Sequence, residues 1–161
     1  MQQAIDIFPT CLKRLNHELN RIVREPLPNI IVKPDDNNIR IWYFLFYNMT
    51  DEYKGGQYLG KIVFDNQYPF KAPTIEFLTP NGRFENNVKI CTTFTHFHPE
   101  EWTPEWSVGS LLVGLMSFMY EPANKGVGSI TTSDDDKRKL AIESINYNKK
   151  LKEFNDNFQF K

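Results

Sequence analysis

The sequence predicts an α+β fold: an N-terminal helix, a four-stranded antiparallel meander, a long loop bearing chemistry, and two or more C-terminal helices. Three observations predict it. Apolar residues recur at helical spacing before Pro26. Short β-branched and aromatic runs, cut by turn residues, follow as far as Phe77. Helical spacing then returns after Trp106. The 161 residues suit one domain with one core, so 1–161 is read as a single unit.

Taken in order, Leu12, Leu15, Leu19, Ile22 and Val23 mark a helix over 9–25, with Lys13, Arg14 and Glu18 between them. Thr10 is placed to cap its start and Pro26 to stop it. Runs at 30–32, 39–47, 58–64 and 74–77 read as strands. Pro34-Asp35-Asp36-Asn37, Gly55-Gly56 and the stretch 66–73 supply the turns between them. Connections this short favour sequential pairing. The stretch 78–105 follows neither period. Structureless stretches above roughly 12–15 residues are uncommon in compact domains and are usually functional or disordered. This one holds Cys91, His96, His98, Trp102 and several other aromatics, which marks an ordered functional loop. The segment 106–119 is apolar nearly all round, as a short buried helix requires. Ser133 followed by Asp134, Asp135 and Asp136 has the form of a capping box, with carboxylates at the positive end of a helix dipole. The helix it opens runs on through Leu140, Ile145 and Leu151 towards Phe154.

Composition excludes several classes of function. With 40% hydrophobic and 14% aromatic residues the chain has enough to bury. A net charge of −1 argues against a nucleic-acid binder built on phosphate neutralisation. Two cysteines, Cys11 and Cys91, are too few for a disulfide scaffold and point to a reducing compartment. The start Met-Gln-Gln-Ala-Ile-Asp lacks the form of a secretory signal, and no run approaches the roughly 18 apolar residues of a membrane span, so a soluble chain is expected.

The chemistry centres on Cys91. Sulfur is a good nucleophile, and its acyl esters stay reactive towards amines, so the thiol suits an acyl carrier. A zinc site from Cys91, His96 and His98 is an alternative that lacks a fourth ligand. A Cys/His hydrolase is another, lacking an orienting partner for the histidine. A thiol that merely packs as a small buried hydrophobe is the third.

Three runs, Pro34-Asp35-Asp36-Asn37-Asn38-Ile39-Arg40-Ile41-Trp42, Tyr53-Lys54-Gly55-Gly56-Gln57-Tyr58 and Tyr68-Pro69-Phe70-Lys71-Ala72-Pro73, stand in this order. Pro80-Asn81, Cys91 and Trp102-x-Pro104 follow. In this the chain resembles the ubiquitin-conjugating enzymes over nearly its whole length. Thr79-Pro80-Asn81-Gly82-Arg83-Phe84, Phe97-His98-Pro99 and Gly128-Ser129-Ile130 are similar to the tail-anchored branch that serves endoplasmic-reticulum protein degradation. Most of the family has His-Pro-Asn where Thr79-Pro80-Asn81 stands, with the cysteine two residues nearer.

The resemblance implies that Cys91 carries ubiquitin as a thioester, taken from a ubiquitin-activating enzyme and passed, with a ligase of RING type, to lysine or hydroxyl side chains of protein substrates. It makes Asn81 the candidate donor to the developing oxyanion. His98 is the candidate base for the acceptor, since an unperturbed imidazole titrates at about 6.5. Tying down the loop backbone is the other reading of Asn81, and packing in the loop that of His98. Ser133 or Asp134 matches the position that orients the acceptor in relatives, although helix capping accounts for Ser133 as well. Partner contacts are expected at Lys13, Arg14 and His17 on the first helix, at Phe70, and at Trp102 and Pro104. Tyr68-Pro69 and Ala72-Pro73 raise the expectation of a cis peptide there. No cofactor, metal or nucleic acid is called for. The branch's C-terminal anchor is not in the sequence. The expected place is the cytosolic side of the endoplasmic reticulum if an anchor follows Lys161, and otherwise the cytoplasm. A non-catalytic family variant, serving as a binding module, is the alternative function.

Overall fold

Pro9 has no N–H to lose and a backbone angle already set for a helix, and it opens α1 (Pro9–Arg24) in the computed structural model, which describes residues 6–90, 102–123 and 126–158. Thr10, the expected cap, lies inside the first turn instead, behind Phe8 at the cap position, because the proline fixes the start one residue earlier. The Phe8 N–H is satisfied from elsewhere, by Asn66 Oδ1 at 2.6 Å.

Four strands follow, β1 (Ile30–Pro34), β2 (Ile41–Phe46), β3 (Tyr58–Val63) and β4 (Thr74–Phe77). They pair antiparallel in sequence order, with Ile30 opposite Phe46, Trp42 opposite Ile62, and Ile62 opposite Ile75. This is the expected meander. β2 begins at Ile41, later than the apolar run suggests, because Ile39 turns inward before the strand: its carbonyl accepts from Trp42 Nε1 at 2.7 Å.

Side chains alternate across a strand, and β2 buries both sets. Trp42, Phe44 and Phe46 enter the main core with Ile62, Ile75 and Phe77. Leu15 of α1 and Leu111, Leu112 and Leu115 of α2 (Val108–Met119) close that core from above. Tyr43, Leu45, Leu59 and Leu78 form a second cluster on the opposite face, with Phe158.

Two C-terminal helices replace the single long one expected: α3 (Asp134–Asn148) and α4 (Lys152–Phe158). Asn148 explains the break. It is fully buried, its amide donates to Gln57 O at 2.7 Å, and its oxygen accepts from the Thr79 hydroxyl. With Asn148 fixed on the sheet, the chain turns there and sends Leu151, Phe154 and Phe158 to the second cluster. α2 starts at Val108, later than expected, capped by a reciprocal pair between Ser107 and Ser110. Ser133 caps α3 as expected, accepting from Asp136 N–H at 3.1 Å. No helix among the described residues is long and apolar enough to cross a membrane.

Candidate active site

Cys91, His96 and His98 lie outside the described residues, as do Phe97 and Pro99. The site is therefore built from what frames position 91. After β4 the chain turns at 79–84 and comes back along that strand, with Asn87 N–H on Phe77 O at 2.7 Å and Ile90 N–H on Ile75 O at 3.0 Å. Ile90 is fully buried. The residue next to Cys91 is thus pinned to the sheet on one side.

Gly128 closes the other side. Its φ of +84° is one that L side chains rarely adopt, and a Cβ there would stand 3.0 Å from Ile90 Cγ2 and 3.2 Å from Ile90 Cα. Backbone bonds fasten this segment to the turn: Glu85 N–H donates to Gly128 O at 2.7 Å, and Ile130 N–H to Arg83 O at 3.0 Å. Ser133 and Asp134 stand at the exposed start of α3.

Asn81 sits in the centre of the turn and is fully buried. Its Nδ2 donates to Thr79 O at 3.1 Å, and its Oδ1 accepts from the N–H groups of Arg83 and Phe84 at 3.0 and 2.9 Å. Those three bonds hold the loop backbone. Thr79 is equally buried: its hydroxyl accepts from Leu59 N–H at 2.9 Å and donates to Asn148, linking β3 to α3. Arg83, buried to 1% exposure, lies with its guanidinium 4.4 Å over the Phe84 ring.

The expected contact residues fall into two kinds. Lys13, His17, Phe70 and Pro104 are exposed, and the Phe70 ring is 69% accessible at the tip of the turn after the cis Tyr68-Pro69 bond. Core packing does not describe a ring so exposed. Arg14, half-buried, and Trp102, buried, are committed to contacts within the fold. Trp102 is 8% exposed, packs on Tyr68 and Trp106, and donates from Nε1 to Pro69 O at 2.8 Å. Arg14 bonds Glu18 and Trp106 O, at 2.9 and 3.0 Å.

Glu18 is the residue that sequence reasoning missed. It is 2% exposed and accepts from Arg14 Nε, from the Tyr68 hydroxyl at 3.4 Å, and from Val108 N–H at 3.1 Å. The carboxylate thus sits at the N-terminus of α2, where orphan N–H groups and the helix dipole favour negative charge. It joins α1 to both loops that present Phe70 and Pro104. A glutamate at a helical position facing Leu15 and Leu19 was the available signal. Beside the Phe70 loop a cavity of about 500 Å³ is lined by Arg40, Lys71, Lys89, Asp65, Phe70 and Trp102 among others, which gives it a net positive wall.

Cys11, the second thiol of the chain, is sealed in the core at 0% exposure. Burial pushes its pKa up, against the opposing pull of Arg40, and its Sγ donates to Asp65 O at 3.6 Å. It is held as a thiol, away from any reagent.

Comparison with known proteins is consistent along the chain. The family described as "Ubiquitin-conjugating enzyme" matches residues 14–154. A ubiquitin-conjugating enzyme E2 J2-like protein of Dictyostelium discoideum is 40% identical over 151 residues, covering 93% of this chain and 88% of that protein. Ubiquitin-conjugating enzyme E2 J2 of Homo sapiens is 44% identical over 147 residues, 90% of this chain and 56% of that protein. Ubiquitin-conjugating enzyme E2 6 of Kluyveromyces lactis is 43% identical over 152 residues, 92% and 57% respectively. The chain spans little more than half the length of the latter two.

Proposed function

The chain belongs to the ubiquitin-conjugating enzyme family, and from that premise we propose that it accepts ubiquitin from a ubiquitin-activating enzyme as a thioester on Cys91. With a ubiquitin ligase of RING type it then passes ubiquitin to lysine, and to serine or threonine hydroxyls, of protein substrates. One observation carries the assignment to Cys91. The chain has two sulfur nucleophiles, and Cys11 is buried at 0% exposure with its pKa raised by that burial. Thioester chemistry in this family member therefore falls to Cys91, which directly follows the anchored Ile90.

The two steps follow from the chemistry. In the first, the Cys91 thiolate attacks the thioester carbonyl of ubiquitin on the activating enzyme, the new C–S bond forms, and the donor's thiolate leaves. In the second, an acceptor amine or hydroxyl attacks the Cys91 thioester, the C–S bond breaks, and the proton lost by the acceptor passes to a base. His98, seven residues on, supplies that base. Lysine, with pKa about 10.4, gives up its proton more readily than a hydroxyl, so the base matters most for serine and threonine. The full burial of Asn81 and its three loop bonds support a role in holding the turn beneath the thioester. Ligase and activating enzyme meet the exposed set Lys13, His17, Phe70 and Pro104, where the aromatic side chain is the natural hot spot.

The branch motifs support a place in endoplasmic-reticulum-associated degradation, on the cytosolic side of that membrane. The test is charging: chain, activating enzyme, ATP and ubiquitin are mixed, and the product is run with and without reductant. Wild type and Cys11→Ala should give a reducible adduct, and Cys91→Ser none. Absence of an adduct on wild type with ubiquitin or any related modifier overturns the reading in favour of a non-catalytic binding module. Discharge of the charged protein onto free lysine and free serine, compared between wild type and His98→Gln, tests the base.

A further inference from the structure

Arg83 is among the most deeply buried large side chains of the described residues, and its bonds go to neutral acceptors. Nε donates to Glu121 O at 3.0 Å, Nη1 to Ser129 Oγ at 3.0 Å, and Nη2 to Pro122 O at 3.4 Å. Taking a guanidinium out of water is costly, and an apolar side chain of similar length fills such a space more cheaply. What the arginine does that an apolar chain cannot is tie two other segments to its own turn at once with a planar, rigid set of donors. Those segments are the exit of α2, through the carbonyls of Glu121 and Pro122, and the stretch at 129, through the Ser129 hydroxyl.

That second segment leads to the thiol. Ser129 adjoins Gly128, and Gly128 is packed on Ile90 so closely that a Cβ would stand 3.0 Å from Ile90 Cγ2. The guanidinium therefore backs the wall on which the residue preceding Cys91 rests. We propose that Arg83 is a positioning residue for the chemistry of Cys91: it holds the 128–130 segment against Ile90, the residue that precedes Cys91, and so sets the rate at which the thioester is discharged. This rests on Cys91 being the ubiquitin carrier. Displacing a reacting group by about 1 Å costs up to about 10²-fold in rate, so small slackening of this wall reaches the chemistry.

The test uses Arg83→Met, which keeps length and removes the donors, and Arg83→Lys, which keeps charge but cannot span 121–122 and 129 together. Each is charged on Cys91 and then discharged onto free lysine over a range of lysine concentrations, at a temperature where urea titration shows it fully folded. Expected is charging at the wild-type rate, and a saturating discharge rate lowered about tenfold in Arg83→Met. The lysine concentration for half-saturation should be unchanged, with partial recovery in Arg83→Lys. A merely structural role shifts the unfolding midpoint and leaves that rate alone. Wild-type discharge from folded Arg83→Met overturns the proposal. If Arg83→Met does not fold, Arg83→Lys decides: wild-type discharge from it overturns the proposal and slowed discharge supports it. Failure of wild type to charge at all is a different result, and it removes the carrier function itself.

Discussion

Replacing Glu18 with alanine tests the claim that one buried carboxylate holds the loops that carry Phe70 and Pro104 to the core. The cost follows from the groups it leaves behind. Val108 N–H, 1% exposed at the start of α2, loses its acceptor, at about 1–3 kcal/mol for an unsatisfied buried donor. The Tyr68 hydroxyl, in a residue also 1% exposed, loses a longer bond of 3.4 Å, so the low end of that range, about 1 kcal/mol, applies. Arg14 keeps its bond to Trp106 O, and its side chain is 23% exposed, so the lost ion pair adds at most about 1 kcal/mol. A destabilisation of about 4 kcal/mol results, which for a chain of this size lowers Tm by roughly 8–16 °C. Glu18→Gln keeps volume and one acceptor oxygen and should lose about half as much. Urea unfolding followed by the fluorescence of Trp42, Trp102 and Trp106 measures both, with the midpoint moving and the slope constant. A loss below about 1 kcal/mol in Glu18→Ala would refute the reasoning, since it would mean the three donors find other partners freely.

The Tyr58 hydroxyl is buried with no hydrogen-bond partner among the described residues, so Tyr58→Phe should stabilise the fold by about 1 kcal/mol, read as a higher urea midpoint. Asn81→Ala strips the turn of three bonds and should cost about 3 kcal/mol; a further fall in lysine discharge of about 10²-fold in the folded variant would assign the amide to the thioester oxygen as well. Phe70→Ala should leave stability within about 0.5 kcal/mol, because the ring is exposed, and weaken engagement with the activating enzyme by about 2 kcal/mol, roughly 30-fold in the half-saturating concentration for charging. Burial, followed by the neighbouring Asp35, pushes the Tyr43 phenol up to about 12, and burial raises Tyr53, Tyr58 and Tyr68 as well. The folded state then holds these protons more tightly than the unfolded one, so stability present below about pH 10 should fall between pH 10 and 12, as urea titrations across that range can check.

The elements most legible in the sequence are those that depend on nearest neighbours along the chain. Pairing of four short strands by short turns follows from Gly55-Gly56 and the prolines, and the meander is in place. The caps at Ser107 and Ser133 are local too, yet only Ser133 is legible, since its acidic run announces it, while Ser107 pairs with another serine. The split between α3 and α4 is not. Its cause is Asn148, which bonds to Gln57 and Thr79 far back in sequence, and no periodicity records such a partner. Arg14 shows the same limit. It has the look of a solvated helix face and is spent on Glu18 and Trp106.

These failures share a physical form that bears on how the site is built. Thr79, Arg83, Asn148 and Glu18 are polar, nearly sealed from water and bonded across long stretches of chain, and Asn81, equally buried, ties its own turn. Apolar packing alone sets the position of a loop loosely, because hydrophobic burial is non-directional. Hydrogen bonds to buried groups are directional and costly to leave unmade, so each one removes alternatives that packing tolerates. Four of the five surround the turn and walls that lead to Cys91, and the fifth ties down the loops that carry Phe70 and Pro104. Under the proposed function, an acyl carrier must present one sulfur to several large partners in turn and cannot let any of them reshape its setting. Buried polar ties concentrated there, with ordinary apolar packing under the sheet, are what that demand selects.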